Sequence, residues 1–254
     1  MDGFCSLAGK TALVTGSSRG IGFALARGLG RRGARVFLHG ASDSEKLRAA
    51  RAALAAEGID ASAVAADLAR PDGPDELVRQ LGPDGVDILV LNASRQIPRQ
   101  LAEIADDDML AQYRIDFMSS VRLVQLLQPA MAARKWGRIV TIGSLQQLRP
   151  LRHMAVYSAL KSAQENLSRN LAMQFAKDGV TVNNVAPGTI RTDRNTEALA
   201  DKAYERKIEE AIPVGFIGDP EDCVSAVVML CAPESRYITG VDLLVDGGKH
   251  LSSI

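Results

Sequence analysis

The chain has 254 residues, 46% of them hydrophobic and 24% charged, which suits a globular protein with a sizeable core rather than a disordered or fibrous one. Thirty basic residues balance thirty acidic ones, so no surplus of positive charge exists to neutralise phosphates, and neither nucleic acid nor an anionic membrane is expected as a partner. No stretch of eighteen apolar residues occurs, and Met1 to Gly9 lacks the basic start and apolar run of a secretory signal, so a cytoplasmic location is expected.

The first apolar run, Thr11 to Thr15, predicts a strand and leads directly into Thr15-Gly16-Ser17-Ser18-Arg19-Gly20-Ile21-Gly22, with a helical pattern over 20–32. Gly16 and Gly20 permit a tight turn and close backbone approach to a pyrophosphate, Gly22 permits close helix packing, and the helix start offers free amides. A glycine-rich turn that binds nothing is the alternative. Its place at the first strand-to-helix turn favours dinucleotide binding by Gly16, Ser18, Arg19, Gly20, Ile21 and Gly22.

A second strand, Arg35 to His39, ends in Gly40-Ala41-Ser42. A carboxylate at that turn would bond the ribose hydroxyls and repel a 2′-phosphate; none is there, while Arg19, Ala41 and Ser42 could meet a phosphate, so NADP(H) is favoured over NAD(H). Helical patterns follow at 43–57 and 73–81, around a strand at Ser62 to Ala66. A strand at Asp87 to Leu91 leads into Asn92-Ala93, and a long helical pattern covers 106–134.

The strand Arg138 to Ile142 is followed by Ser144, and the helix expected over 155–178 carries Tyr157 and Lys161. Four-residue spacing puts the phenol and the ammonium on one helix face. An ammonium nearby favours the phenolate, so Tyr157 could give and take a proton near neutral pH without a metal. A strand at Thr181 to Val185 precedes an irregular polar stretch, 188–219, which reads as a surface insertion or an active-site lid. A helix at 220–232 and a strand at Asp242 to Val245 complete the order.

Strands alternate with helices, and several strands are almost continuously apolar, as parallel strands covered on both faces are. The expectation is one α/β domain, residues 1–254, built as a doubly wound parallel sheet of about seven strands with helices on both faces. Cys5, Cys223 and Cys231 are scattered, as are His39, His153 and His250, so free thiols and no metal site are expected.

Taken together, the glycine loop, Asn92-Ala93, Ser144, Tyr157 and Lys161 closely resemble the short-chain dehydrogenase/reductase family, from Lys10 to Gly248. Within it the pattern is most similar to 3-oxoacyl-carrier-protein reductases and their many relatives. The resemblance implies a Rossmann-type fold and hydride transfer between a nicotinamide and a carbonyl or secondary alcohol, possible substrates being a 3-oxoacyl thioester, a small ketone or a sugar. It implies that Ser144 holds the substrate oxygen, Tyr157 exchanges its proton and Lys161 binds the nicotinamide ribose. It adds Asp67, Leu68, Asn92, Ala93, Ser94, Tyr157, Pro187, Gly188, Ile190 and Thr192 as cofactor contacts, and a homotetramer or homodimer on two-fold axes.

Three departures stand out. Asp116 takes the place of the family's fourth catalytic residue, an Asn; it could act through its backbone carbonyl or pair with Lys161 and weaken activity. Ser94 replaces a glycine, and Leu91 an Asn. An active enzyme is expected; a catalytically weak NADP-binding sensor on the same fold is the alternative. Asp178 stands where carrier-protein reductases have a basic residue, and Arg149, Arg152 and His153 are either an anion-recognition group or solvated surface.

Overall fold

Seven strands form one parallel sheet: β1 (Thr11–Val14), β2 (Arg35–Gly40), β3 (Ala61–Ala65), β4 (Ile88–Leu91), β5 (Gly137–Ile142), β6 (Val180–Pro187) and β7 (Asp242–Val245). Their spatial order is β3-β2-β1-β4-β5-β6-β7, with every pairing parallel. The protein is described from a computed structural model covering residues 3–83, 85–193 and 195–252. Chain direction across the sheet reverses between β1 and β4, and their carboxyl ends open the crevice in which such folds hold ligands.

Alternation along each strand divides the core into two layers. From β1, Ala12 and Val14 join Leu25, Leu38, Leu54 and Val227 on the face covered by α1 (Gly20–Arg31), α2 (Glu45–Ala56) and α9 (Val224–Cys231). Leu13 joins Leu77, Leu89, Leu127, Ile139 and Val182 beneath α3 (Gly73–Arg79), α5 (Ser119–Ala133) and α6 (Ala155–Phe175). Each fully buried leucine contributes about 1.5–3 kcal/mol of apolar burial. β4, β5 and β6 are buried at every position, whereas β7 at the sheet edge is half-exposed throughout.

Two expectations need correction. The pattern over 106–134 is not one helix: α4 (Asp106–Tyr113) meets α5 through a π-helical turn, Arg114–Met118, where the Ser119 amide donates to the Arg114 carbonyl five residues back. Ser119 and Ser120 hydroxyls donate to the carbonyls of Ile115 and Asp116, a competition with the helical ladder that favours such irregularity.

The stretch 188–219, of which residue 194 lies outside the described residues, holds α7 (Thr196–Ala200) and α8 (Lys202–Glu210). Asp201 caps α8 by accepting from the amides of Ala203 and Tyr204 at 2.9 and 3.3 Å. An isolated parallel bridge between Ile190 and Gly218 closes the base, and Leu199, Ile212 and Ile217 form a small core of their own.

Candidate active site

β1 ends at Val14, and the chain turns through Gly16 into α1, whose first residue is Gly20. Gly16 has a φ of +63°, and a Cβ there would lie 2.9 Å from the Cα of Ala93; at Gly22 a Cβ would lie 2.4 Å from Asn92 Nδ2. Neither site tolerates a side chain without backbone movement. The loop is stitched to the end of β4: Asn92 Nδ2 donates to the Thr15 and Gly16 carbonyls at 2.9 and 3.0 Å, and Thr15 Oγ1 accepts from the amides of Asn92 and Ala93, both at 2.9 Å.

A third strand secures it. The Gly16 amide donates to His39 Nδ1 at 3.0 Å, and His39 Nε2 lies 2.9 Å from the Ala66 carbonyl. An accepting Nδ1 and an Nε2 facing a carbonyl define a neutral ring protonated at Nε2. Burial pushes the His39 pKa below its ordinary value, opposed by the Ala66 carbonyl and the charge of Asp67. Sequence reading passed over His39 because nothing local marks a strand-end histidine as a partner of a loop on another strand.

The cradle opens into a cleft of about 820 Å³ that runs along the carboxyl ends of the strands. At its nucleotide end, Ser18, Arg19, Gly20, Ile21, Ala41, Asp67 and Leu68 line the wall, facing Ile190 and Thr192. Arg19 Nη1 is 2.9 Å from Asp193 Oδ2, both side chains being more than half exposed. Ser42 is exposed and lies outside the lining. The carboxylate-free turn Gly40-Ala41, the glycine cradle and the amides at the start of α1 fit a 2′-phosphorylated dinucleotide.

At the other end Ser94, Ser144, Tyr157 and Lys161 share the wall with Pro187 and Gly188. Ser144 follows β5 in an extended conformation, and its hydroxyl accepts from the Gln146 amide at 3.2 Å, which leaves its own hydrogen to be donated. Tyr157 and Lys161 occupy successive turns of α6, with Nζ 5.7 Å from the centroid of the phenol ring.

Lys161 is almost wholly buried. Its Nζ donates to the Ile142 carbonyl at 2.9 Å and to Gln164 Oε1 at 3.1 Å, and lies 3.3 Å from Asp116 Oδ1. Asp116, fully buried in the π-helical turn, also accepts at Oδ2 from the Arg95 amide at 3.0 Å, and its carbonyl takes the Ser120 hydroxyl at 3.0 Å. It sits behind Lys161 and does not line the cleft. Of the two roles the sequence allows for Asp116, the structure shows the side-chain pairing with Lys161.

The lining also contains residues that sequence reading did not single out: Gln96, Gln146, Met154, Thr189, Tyr204 and Lys249. Arg149 is tied to the C-terminal segment, donating to the carbonyls of Lys249 and Ser252 at 2.8 and 2.5 Å. Lys135 is paired with Asp178 at 3.1 Å and Arg134 with Asp87 at 3.3 Å. Among the described residues no cluster of three metal-ligating side chains occurs, and no helix is long and apolar enough to cross a membrane.

A family model described as enoyl-(acyl carrier protein) reductase matches residues 16–250. The gluconate 5-dehydrogenase of Gluconobacter oxydans is 35% identical over 251 residues, covering 97% of each chain. Among solved structures, a 3-oxoacyl (acyl-carrier-protein) reductase from Agrobacterium tumefaciens C58 with NADP bound is 38% identical with a TM-score of 0.91, covering 96% of this chain and 95% of that one. A gluconate 5-dehydrogenase from Burkholderia cenocepacia J2315, in complex with NADP and tartrate, is 30% identical with a TM-score of 0.91 and covers 98% of both chains.

Proposed function

The chain belongs to the short-chain dehydrogenase/reductase family, and we propose that it is an NADP(H)-dependent oxidoreductase that interconverts a carbonyl and a secondary alcohol on a small molecule. The observation that carries this reading is that Ser144, Tyr157 and Lys161 share one cleft with the glycine cradle. The bound nicotinamide would supply or accept the hydride. Every other part of the reaction falls to side chains of this protein.

Ser144 donates its hydroxyl hydrogen to the substrate oxygen, its lone pair being taken by the Gln146 amide. Tyr157 delivers a proton to that oxygen in reduction and removes it in oxidation. Lys161, fixed by Ile142, Gln164 and Asp116, keeps a positive charge beside the phenol and offers its remaining hydrogen-bonding capacity to the ribose. The loop at Gly16–Gly22 and the start of α1 hold the pyrophosphate, Asp67 and Leu68 the adenine, and Asn92, Ala93, Ser94, Pro187, Gly188, Ile190 and Thr192 the rest of the dinucleotide. Arg19 can exchange Asp193 for a 2′-phosphate, because an exposed ion pair of this kind holds its partners weakly.

One oxidoreductase domain spans 1–254, cytoplasmic and assembled as a homodimer or homotetramer. The exposed Met109, Leu110, Tyr113 and Met118 around α4 and the half-exposed β7 edge support such an assembly. Asp178, an acid where carrier-protein reductases have a base, favours a free small molecule over a substrate carried on a protein. A second reading, a weakly active NADP-binding sensor, is favoured by one observation, the Asp116 carboxylate against Lys161.

Oxidation of NADPH and NADH against ketones, aldehydes, sugars and 3-oxoacyl thioesters decides between them. Turnover that prefers NADPH and disappears in Tyr157→Phe is expected; tight NADPH binding without turnover on any compound would establish the sensor.

A further inference from the structure

The catalytic half of the cleft contains a cation that the reaction above does not use. Lys249 follows β7 and lines the cleft together with Thr189, Tyr157 and Ser144. Its Nζ donates to Thr189 Oγ1 at 2.9 Å, a neutral partner. Among the described residues, no carboxylate lies within ion-pair distance of it. The acid whose field reaches it, Asp246, spends its oxygens on the amides of Gly248 and His250 and on the His250 ring, at 2.9, 2.7 and 2.9 Å.

The surroundings strengthen the positive field. Arg149 is bonded to the Lys249 carbonyl, His153 lines the same cleft, and the other ammonium there, Lys161, already has Asp116. The carboxylates among the described lining residues, Asp67 and Asp193, lie at the nucleotide end, and Asp193 is paired with Arg19. A half-buried ammonium without an anion is costly, and burial together with the Arg149 charge pushes its pKa below the ordinary value for lysine. An anion brought by the substrate removes that cost through a charge-assisted hydrogen bond.

We propose that Lys249 is the specificity-determining residue of the substrate site, and that the substrate is a small oxo or hydroxy acid whose carboxylate it binds. The inference rests on the oxidoreductase reading for the rest of the molecule's chemistry. It separates this protein from reductases of uncharged ketones, where an ammonium in the cleft with only a neutral partner among the described residues would be a liability.

The test uses acetoacetate and 5-oxohexanoate, each against its methyl ester, in NADPH oxidation by the wild type, Lys249→Met and Lys249→Arg, with the Kd for NADPH measured by fluorescence titration. The acids are expected to exceed their esters in kcat/KM by at least about tenfold in the wild type. Lys249→Met should lose about 10- to 100-fold on the acids and less than about threefold on the esters, with Lys249→Arg restoring most of the difference. The Kd for NADPH should be unchanged. Equal use of acid and ester, equal loss on both, or a rise in the NADPH Kd would overturn the inference while leaving the oxidoreductase intact. If none of these compounds turns over, calorimetric titration of the NADP-loaded protein with them decides the inference: binding of acids but not esters, lost in Lys249→Met, supports it, and no binding overturns it, while the wider panel above decides the oxidoreductase reading separately.

Discussion

The two ends of the cleft are built on different physics. At the nucleotide end, backbone amides and carbonyls, Asn92, Thr15 and a neutral His39 knit three strand ends together, and the Arg19–Asp193 pair there is exposed and exchangeable. At the catalytic end the organising contact is a buried ion pair, Lys161 with Asp116, in which Lys161 also donates to the Ile142 carbonyl and Gln164 Oε1 and Asp116 accepts from the Arg95 amide. A cradle for a bulky anion needs shape and free amides, which are cheap to solvate before binding. A proton-transfer site needs a charge held still where water does not screen it, which requires burial and a partner.

The sharpest break of that comparison is Tyr157→Phe. It should lower turnover by about 10²- to 10⁴-fold while shifting the NADPH Kd by less than about threefold, since the phenol hydroxyl is one of many contacts to the dinucleotide but carries the proton transfer. Turnover assays and a cofactor titration on the same preparation check it. Gly22→Val attacks the other end. Its Cβ would fall 2.4 Å from Asn92 Nδ2 and 2.5 Å from the Gly16 carbonyl, so stability should fall by about 3 kcal/mol in urea unfolding and NADPH binding should be lost.

Asp116→Asn removes the carboxylate and keeps its shape, its acceptor for the Arg95 amide and the remaining partners of Lys161. A loss of about 1–3 kcal/mol is expected, less than the usual cost of halving a buried pair, with turnover changed by less than about tenfold. A gain of several orders of magnitude in turnover would instead identify the aspartate as a brake and support the sensor.

The smallest effect belongs to His39. Its ring is neutral in the fold with a lowered pKa, whereas the unfolded chain titrates near 6.5, so below that value the unfolded state binds the extra proton. The stability from keeping the ring neutral is complete above pH 6.5 and is lost as pH falls towards the folded value. Between pH 7.5 and 5.5 the wild type should lose about 1 kcal/mol more than His39→Asn, whose amide oxygen can still accept from Gly16. Equal losses would show that the nucleotide end contains no titrating joint.

Much of this was legible from sequence because it is local. The glycine spacing, a serine just past a strand and Tyr157 four residues before Lys161 each lie within a single turn or helix, where periodicity and backbone sterics fix neighbours. The strand-helix rhythm, together with right-handed crossovers, left few topologies for the sheet. The resemblance to the family supplied the remaining proposed cofactor contacts, all of which line the cleft; Ser42, chosen on phosphate chemistry alone, does not.

What the tertiary structure decided concerns residues that meet only after folding. A polar helix pattern gave no warning that α4 and α5 are joined by a π-helical turn that buries Asp116 against Lys161, nor that His39 accepts from the Gly16 amide. Lys249 is likewise an ordinary lysine in sequence, and becomes a candidate anchor only where the end of β7 packs beside Thr189 and Arg149. Sequence determined the elements and the chemistry each one carries, through interactions within a few residues. Which charges face each other depended on how distant elements pack, because the field at a buried group is set by neighbours in space.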